Sequence, residues 1–181
     1  MKTIWFLAGV LAIGAPILAQ HHEAPAEVKT PEQHSEFKHW RIAPLIGHTM
    51  VPAGTSSDHF AIPSWGLDLE YWLNPKWGIG LHNDLEVQSF IVEHDGQEML
   101  ERESPLVLSL DLLWKPWKGL VFLAGPGYEF EKEENFKLLR FGAEYEFEFD
   151  HHWDISPSLF YDTRQEAYDT WSIALGIGKR F

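Results

Sequence analysis

The segment Tyr168–Phe181 restricts the fold more than any other stretch of this chain. Trp171, Ile173, Leu175, Ile177 and Phe181 share one parity, and Ser172, Ala174, Gly176, Gly178 and Arg180 share the other. Side chains on a strand alternate between its two faces, so this segment reads as a strand with one large apolar face and one small or charged face. A barrel strand that turns its apolar face to lipid and its small and polar face to a crowded interior has this pattern. The chain ends on Phe181, an aromatic residue on the apolar face.

The N-terminus reads as a targeting segment. Met1-Lys2-Thr3 is a short basic start, Ile4–Leu18 is an apolar run, and Ala19 before Gln20 offers a small residue for cleavage. The run contains Gly14 and Pro16 and is shorter than the roughly 20 residues that a spanning helix needs. Residues 1–19 are therefore expected to be a signal peptide. Residues 20–38, rich in His, Glu, Pro and Ala without apolar periodicity, are expected to be a flexible periplasmic tether. The formal charge of −13 opposes binding to nucleic acid, whose phosphates would repel it. With no Cys, stability must come from packing and backbone hydrogen bonds. The mean hydropathy of −0.22 suggests a soluble chain, but that inference fails for barrels, in which only alternate residues face lipid.

From about residue 39 the alternation recurs eight times, over approximately 39–48, 64–73, 76–92, 105–115, 119–131, 136–149, 153–162 and 168–181. Tight turns at Asn74-Pro75, Pro116-Trp117-Lys118 and Asp150-His151-His152 alternate with longer polar links at 49–63, 93–104, 132–135 and 163–167. Short turns on one side and longer loops on the other are expected of an outer-membrane barrel, with both termini on the short-turn, periplasmic side. An even number of strands lets an antiparallel sheet close without an edge, as hydrocarbon demands. Trp40, Trp72, Trp77, Trp114, Trp117 and Trp153 fall beside the tether or the tight turns, and Trp65, Tyr128, Phe130, Tyr161 and Trp171 lie toward the long loops. These are two candidate interfacial belts with an aliphatic band between them. The expected fold is thus all-β: an eight-stranded antiparallel up-and-down transmembrane β-barrel over residues 39–181.

On this alternation, the loop asymmetry and the ending Gly176-Ile177-Gly178-Lys179-Arg180-Phe181, the chain resembles the small OmpA/OmpX-type outer-membrane barrels. The resemblance implies a monomer in the bacterial outer membrane, with outer-membrane lipid around it. It also implies that the barrel-insertion machinery reads the last strand through Phe181. It carries no motif for one particular function.

The inward parity gathers Arg41, Asp68, Glu70, His82, Asp84, Glu86, Asp111, Lys115, Arg140, Glu144, Glu146 and Arg180. Buried charges need partners, and a lumen of eight strands is filled by side chains. These residues are therefore expected to form a structural network of salt bridges and hydrogen bonds, with a cation path or proton relay as the alternative. Divalent cations have candidate sites at the tether (His21, His22, His34 and His39 with Glu23, Glu32 and Glu36), at Asp150-His151-His152-Trp153-Asp154, and at the acidic links Glu93–Glu98 and Glu129–Glu134, which are expected to face outward. The tether spacing is irregular, and neither a metal site nor a cofactor is expected. Ser156 and Ser158 face inward with His151 and His152 in the turn below, and Ser57, Asp58 and His59 share one loop. Neither group makes a nucleophile–base constellation. Gly125-Pro126-Gly127 lacks what a phosphate loop needs and is expected to mark a bulge or kink. The expected role is a non-enzymatic envelope function: structural, surface interaction or minor permeability. A narrow channel for small solutes or cations and a lipid-modifying enzyme are the alternatives. A soluble lipocalin-like barrel of reversed parity is the competing architecture.

Overall fold

The computed structural model describes residues 37–52, 59–94 and 98–181. The expected signal peptide, most of the tether, and Ser57 and Asp58 lie outside these residues. The described chain is a closed antiparallel barrel. Its wall runs β1 (Trp40–Pro52), β2 (His59–Asn74), β3 (Trp77–Glu86), β6 (Leu106–Trp117), β7 (Leu120–Phe130), β8 (Phe136–Tyr145), β10 (Trp153–Arg164) and β11 (Thr170–Arg180), and β11 pairs back onto β1. A short hairpin, β4 (Ser89–His94) with β5 (Glu98–Glu103), rises from the rim between β3 and β6 as a separate two-stranded sheet. The three-residue strand β9 (Phe147–Phe149) continues the line of β8 on β10, with Glu146 between them.

The register fixes the barrel's shape. A path of directly paired residues runs from Trp40 through Tyr71, Ile79, Leu112, Ala124, Phe141, Tyr161 and Trp171 and returns to β1 at Met50, ten residues above its start. Eight strands with that stagger tilt by roughly 40° and leave a radius of roughly 8 Å. The wall between Trp40 and Met50 is then roughly 25 Å tall, the height of the apolar band of an outer-membrane barrel.

Every residue on the closing path faces outward, and among the described residues thirty-three large hydrophobic side chains are exposed. Among them are Ile46, Leu110, Leu112, Ile173 and Ile177, each at least half exposed. Soluble proteins rarely expose apolar patches beyond a few hundred Å². The wall's outer face excludes the lipocalin-like alternative, whose oily residues would line the interior. Outward aromatics form two rings: Trp77 on Trp114, Trp40 on Tyr71 and Tyr145 on Phe147 below, and Tyr161 on Trp171 and Tyr128 on Phe130 above.

Four expectations need correction. The register runs unshifted past Gly125-Pro126-Gly127, and the β6–β7 irregularity lies instead between Trp114 and Trp117. Gly125 is there for space, because a Cβ on it would stand 2.0 Å from the Leu110 carbonyl oxygen and 2.7 Å from Asp111 Oδ1. The third strand stops at Glu86, and the link after it folds into the β4–β5 hairpin. Trp72 belongs to no belt: it has the inward parity and is fully buried in the lumen. Glu129 does not face outward either, being fully buried at the upper end of the lumen.

Candidate functional site: the barrel lumen

The inward residues form three tiers. In the lowest, Arg41 on β1 is paired in register with Glu70 on β2 and ion-pairs with it. Its guanidinium also holds Asp154 through Nε (2.9 Å) and Nη2 (2.7 Å), and donates to Ser156 Oγ at 2.8 Å. Glu144 lies 3.4 Å from Arg41 Nη1 and Glu146 lies 3.9 Å from Nε. Glu146 in turn accepts from Lys115 and, at 2.6 Å, from Arg180. Between these cations sits Trp72. Lys115 Nζ and the Arg180 guanidinium lie 4.7 Å and 5.1 Å from its ring centre, and its indole N–H donates to Glu70 at 2.7 Å. The indole thus closes the floor of the lumen with its polar edge satisfied.

The carboxylate oxygens of Glu70, Glu144 and Glu146 lie within 4.8 Å of one another, a spacing that could hold a metal ion. Arg41 already occupies the middle of the group, so the cluster is built around a guanidinium.

In the middle tier, His82 Nδ1 meets Asp111 Oδ2 at 2.7 Å, and Ser109 Oγ donates to the same oxygen at 2.7 Å. Gly80, two residues before His82, makes room for its ring, since a Cβ there would lie 2.4 Å from His82 Cε1. Arg140 on β8 makes a two-pronged bond to Asp162 on β10 (2.7 and 2.8 Å) and reaches Asp84 on β3 at 2.7 Å, so it spans the lumen. The carboxyl groups of Asp68 and Glu86 are buried, and neither side chain makes a hydrogen bond or ion pair with any described residue. An apolar cluster of Leu45, Trp72, Leu113, Val121, Leu123, Phe160 and Ala174 packs against these charged tiers.

The upper tier centres on Glu129. It receives Arg102 from β5, Arg164 from β10 and the Tyr168 hydroxyl at 3.0 Å. Above it Val51, Ile62, Phe90, Val92, Phe136 and Tyr168 form a second apolar cluster that roofs the mouth. Outside this roof, Glu131 accepts from the Glu133 N–H at 2.8 Å and lies 3.4 Å from Arg102 Nη1. Burial pushes the Glu131 pKa upward, but the N–H groups of Glu133, Lys132 and Glu103 and the Arg102 charge outweigh it and hold the group below its ordinary value.

All twelve inward candidates from the sequence point into this lumen, Lys115 and Arg180 reaching its lower opening. Sequence reasoning missed Asp154, Asp162, Glu129, Arg164, Arg102 and Tyr168. Parity alone could have found the first four, because each lies on the inward alternation of its strand. Arg102 sits in a segment read as a loop, and Tyr168 opens the segment read as the closing strand, two residues ahead of β11. Phe181 is exposed at the base, its N–H bonded to the Trp40 carbonyl oxygen. His39 does not join a metal cluster in the described residues; its Nδ1 lies 2.7 Å from the Trp72 carbonyl oxygen.

No protein-family model matches the chain, and no curated protein matches it in sequence. Solved structures match it in fold. Ail, the attachment invasion locus protein of Yersinia pestis, superposes with a TM-score of 0.57 at 14% identity over 80% of this chain and 100% of its own. Ail has also been solved with the heparin analogue sucrose octasulfate. The N-terminal β-barrel domain of Pseudomonas aeruginosa OprF matches with a TM-score of 0.54 at 15% identity over 80% and 98% of the two chains. Neisserial surface protein A matches with a TM-score of 0.53 at 8% identity over 78% and 97%. The strand order, the closed register and these superpositions agree: the chain has the fold of the small eight-stranded outer-membrane β-barrels.

Proposed function

We propose that the protein is a monomeric, non-enzymatic integral protein of the bacterial outer membrane, and that its sealed barrel is a rigid, non-conducting platform for the structures at its outer rim. The occupied lumen carries this reading. The Trp72 floor, the Arg41–Glu70–Asp154 and Arg140–Asp162 pairs, and the apolar roof above Glu129 follow one another along the axis. A channel for solutes would need a continuous wet path through them. In this reading the N-terminal segment is a cleaved export signal, the tether and both termini are periplasmic, and Phe181 serves as the assembly signal.

The absence of enzymatic function rests on what the inward serines do. Ser156 Oγ is taken by Arg41, and Ser158 Oγ donates to the Ala174 carbonyl oxygen at 3.4 Å, so neither is poised beside a base. The described outer rim is acidic, with Glu131, Glu133, Glu134, Glu166 and Asp169 against exposed Lys132 and Lys137. Such a rim suits a cationic partner or bridging divalent cations better than a sulfated sugar of the kind solved with Ail.

The test is a planar-bilayer recording on the refolded protein, beside a fractionation of cells that express it. The account expects the protein in the outer-membrane fraction and no steps of conductance. Steady single-channel steps would move the assignment to the narrow channel.

A further inference from the structure

On the outer wall, β10, β11, β1 and β2 enclose a groove of about 680 Å³ bounded by Ile46, His48, Trp65, Pro157, Ile173 and Leu175. It lies in the upper half of the apolar band, where Ile46 pairs with Trp65 and Met50 with Trp171. His48 stands between these two pairs, flanked by tryptophans of the upper aromatic ring. It has the lipid-facing parity and is exposed, and its imidazole makes no hydrogen bond, ion pair or ring contact with any described residue. Lys179 lies over Trp153 in the lower ring, and Lys137 stands at the outer rim of β8. His48 is therefore the one ionisable outward side chain between the rings among the described residues, tyrosines aside. An ionisable side chain facing hydrocarbon is costly to keep and needs a partner. Another apolar hollow, lined by Leu112, Trp114, Phe122 and Phe141, has no ionisable group in its lining.

We propose that this groove seats one acylated, phosphate-bearing lipid of the surrounding leaflet. Its acyl chain lies along Ile46, Pro157 and Leu175, and its phosphate or ester oxygens accept a hydrogen bond from the His48 imidazole. The groove's continuity with the lipid-facing wall and its polar head at ring height select a lipid over a second copy of the chain, which would leave His48 facing an apolar surface. The inference rests on the membrane reading above.

Native mass spectrometry of the full chain, released from detergent micelles titrated with dimyristoyl phosphatidylglycerol, tests it. The wild type is expected to retain a single lipid. Leu175→Trp, which fills the groove, should retain at least about tenfold less. His48→Leu should retain about threefold to tenfold less, the value of one hydrogen bond. Both substitutions face outward, and heat-modifiable gel mobility confirms that the barrels have folded. Equal retention by all three proteins, no retained lipid in the wild type, or a lipid-free dimer would each overturn the site. A protein that stays in buffer without detergent would overturn the membrane reading instead.

Discussion

The side-chain amide of Asn83 stands in for a missing backbone partner of Leu67: its Nδ2 donates to the Leu67 carbonyl oxygen, and its Oδ1 accepts from the Leu67 N–H at 3.3 Å. The β2–β3 ladder pairs Gly66 with Asp84 and Leu69 with Leu81 and skips the residues between. Asn83 has the lipid-facing parity, so without its amide two backbone groups of Leu67 would meet hydrocarbon unsatisfied. Asn83→Leu makes the lipid face more apolar, yet it is expected to destabilise the barrel by about 1–3 kcal/mol. Urea unfolding in phospholipid vesicles measures this. A variant as stable as the wild type would show that the amide does not patch the seam.

Trp72 is the largest fully buried side chain among the described residues. Trp72→Ala removes the floor and is expected to cost about 3–5 kcal/mol. It also leaves Lys115 and Arg180 without the ring between them, but the Arg140–Asp162 tier and the roof above Glu129 stay in place, so bilayer recordings should remain silent. A fully stable Trp72→Ala protein would contradict the packed floor.

Glu146 holds Lys115, Arg180 and, more distantly, Arg41. Glu146→Gln keeps the shape and removes the charge, leaving Arg180 without its carboxylate and Lys115 with only the more distant Glu148. The expected loss is about 3 kcal/mol, the low end for a broken buried pair because Lys115 and Arg180 reach the lower opening. Equilibrium unfolding reads it, and a loss within experimental error would show that the three cations find other partners.

The bend after β7 should respond to acid. Glu131 is held below its ordinary pKa of 4.5 in the folded chain. A carboxylate lowered on folding contributes stability that is fully present above its unfolded pKa and lost as pH falls through the folded one. Protection of the Glu133 amide against exchange, taken relative to the intrinsic rate at each pH, should therefore fall as pH drops below about 4.5. In Glu131→Gln the protection should be low already and independent of pH over that window. Wild-type protection that ignores pH would contradict the assignment.

Much of this architecture was legible in the sequence because lipid and lumen impose opposite demands on alternate residues. Trp171, Ile173 and Leu175 against Ser172, Ala174 and Gly176 state the orientation of β11 without reference to any other strand. The same alternation placed Arg41, Glu70 and Arg140 on the inside. The partners were not legible. Arg140 meets Asp84 only because the ten-residue stagger brings β3 and β8 to matching heights across a narrow lumen, and stagger is a property of the whole ring. Trp72 was misplaced because its position beside a turn suggested a belt, whereas its parity pointed inward; parity decided. The roof was invisible because Phe90 and Val92 fall at the end of the segment read as the third strand and Arg102 in the polar link 93–104, and nothing local in the sequence pairs the two as a hairpin. Pro126 suggested a bend, but the register passes it unchanged, and the glycines beside it relieve crowding against β6 and β8.

The central claim is that the apolar face of this wall meets hydrocarbon and the charged face is enclosed. Nitroxide labels placed singly along β11 from Trp171 to Ile177, in the protein reconstituted into lipid, test it most directly through collision with oxygen and with a water-soluble nickel chelate. The account predicts a two-residue period, with oxygen access highest at Ile173, Leu175 and Ile177 and both reagents poorly admitted at Ser172, Ala174 and Gly176. Nickel access peaking at Ile173, Leu175 and Ile177 would contradict it.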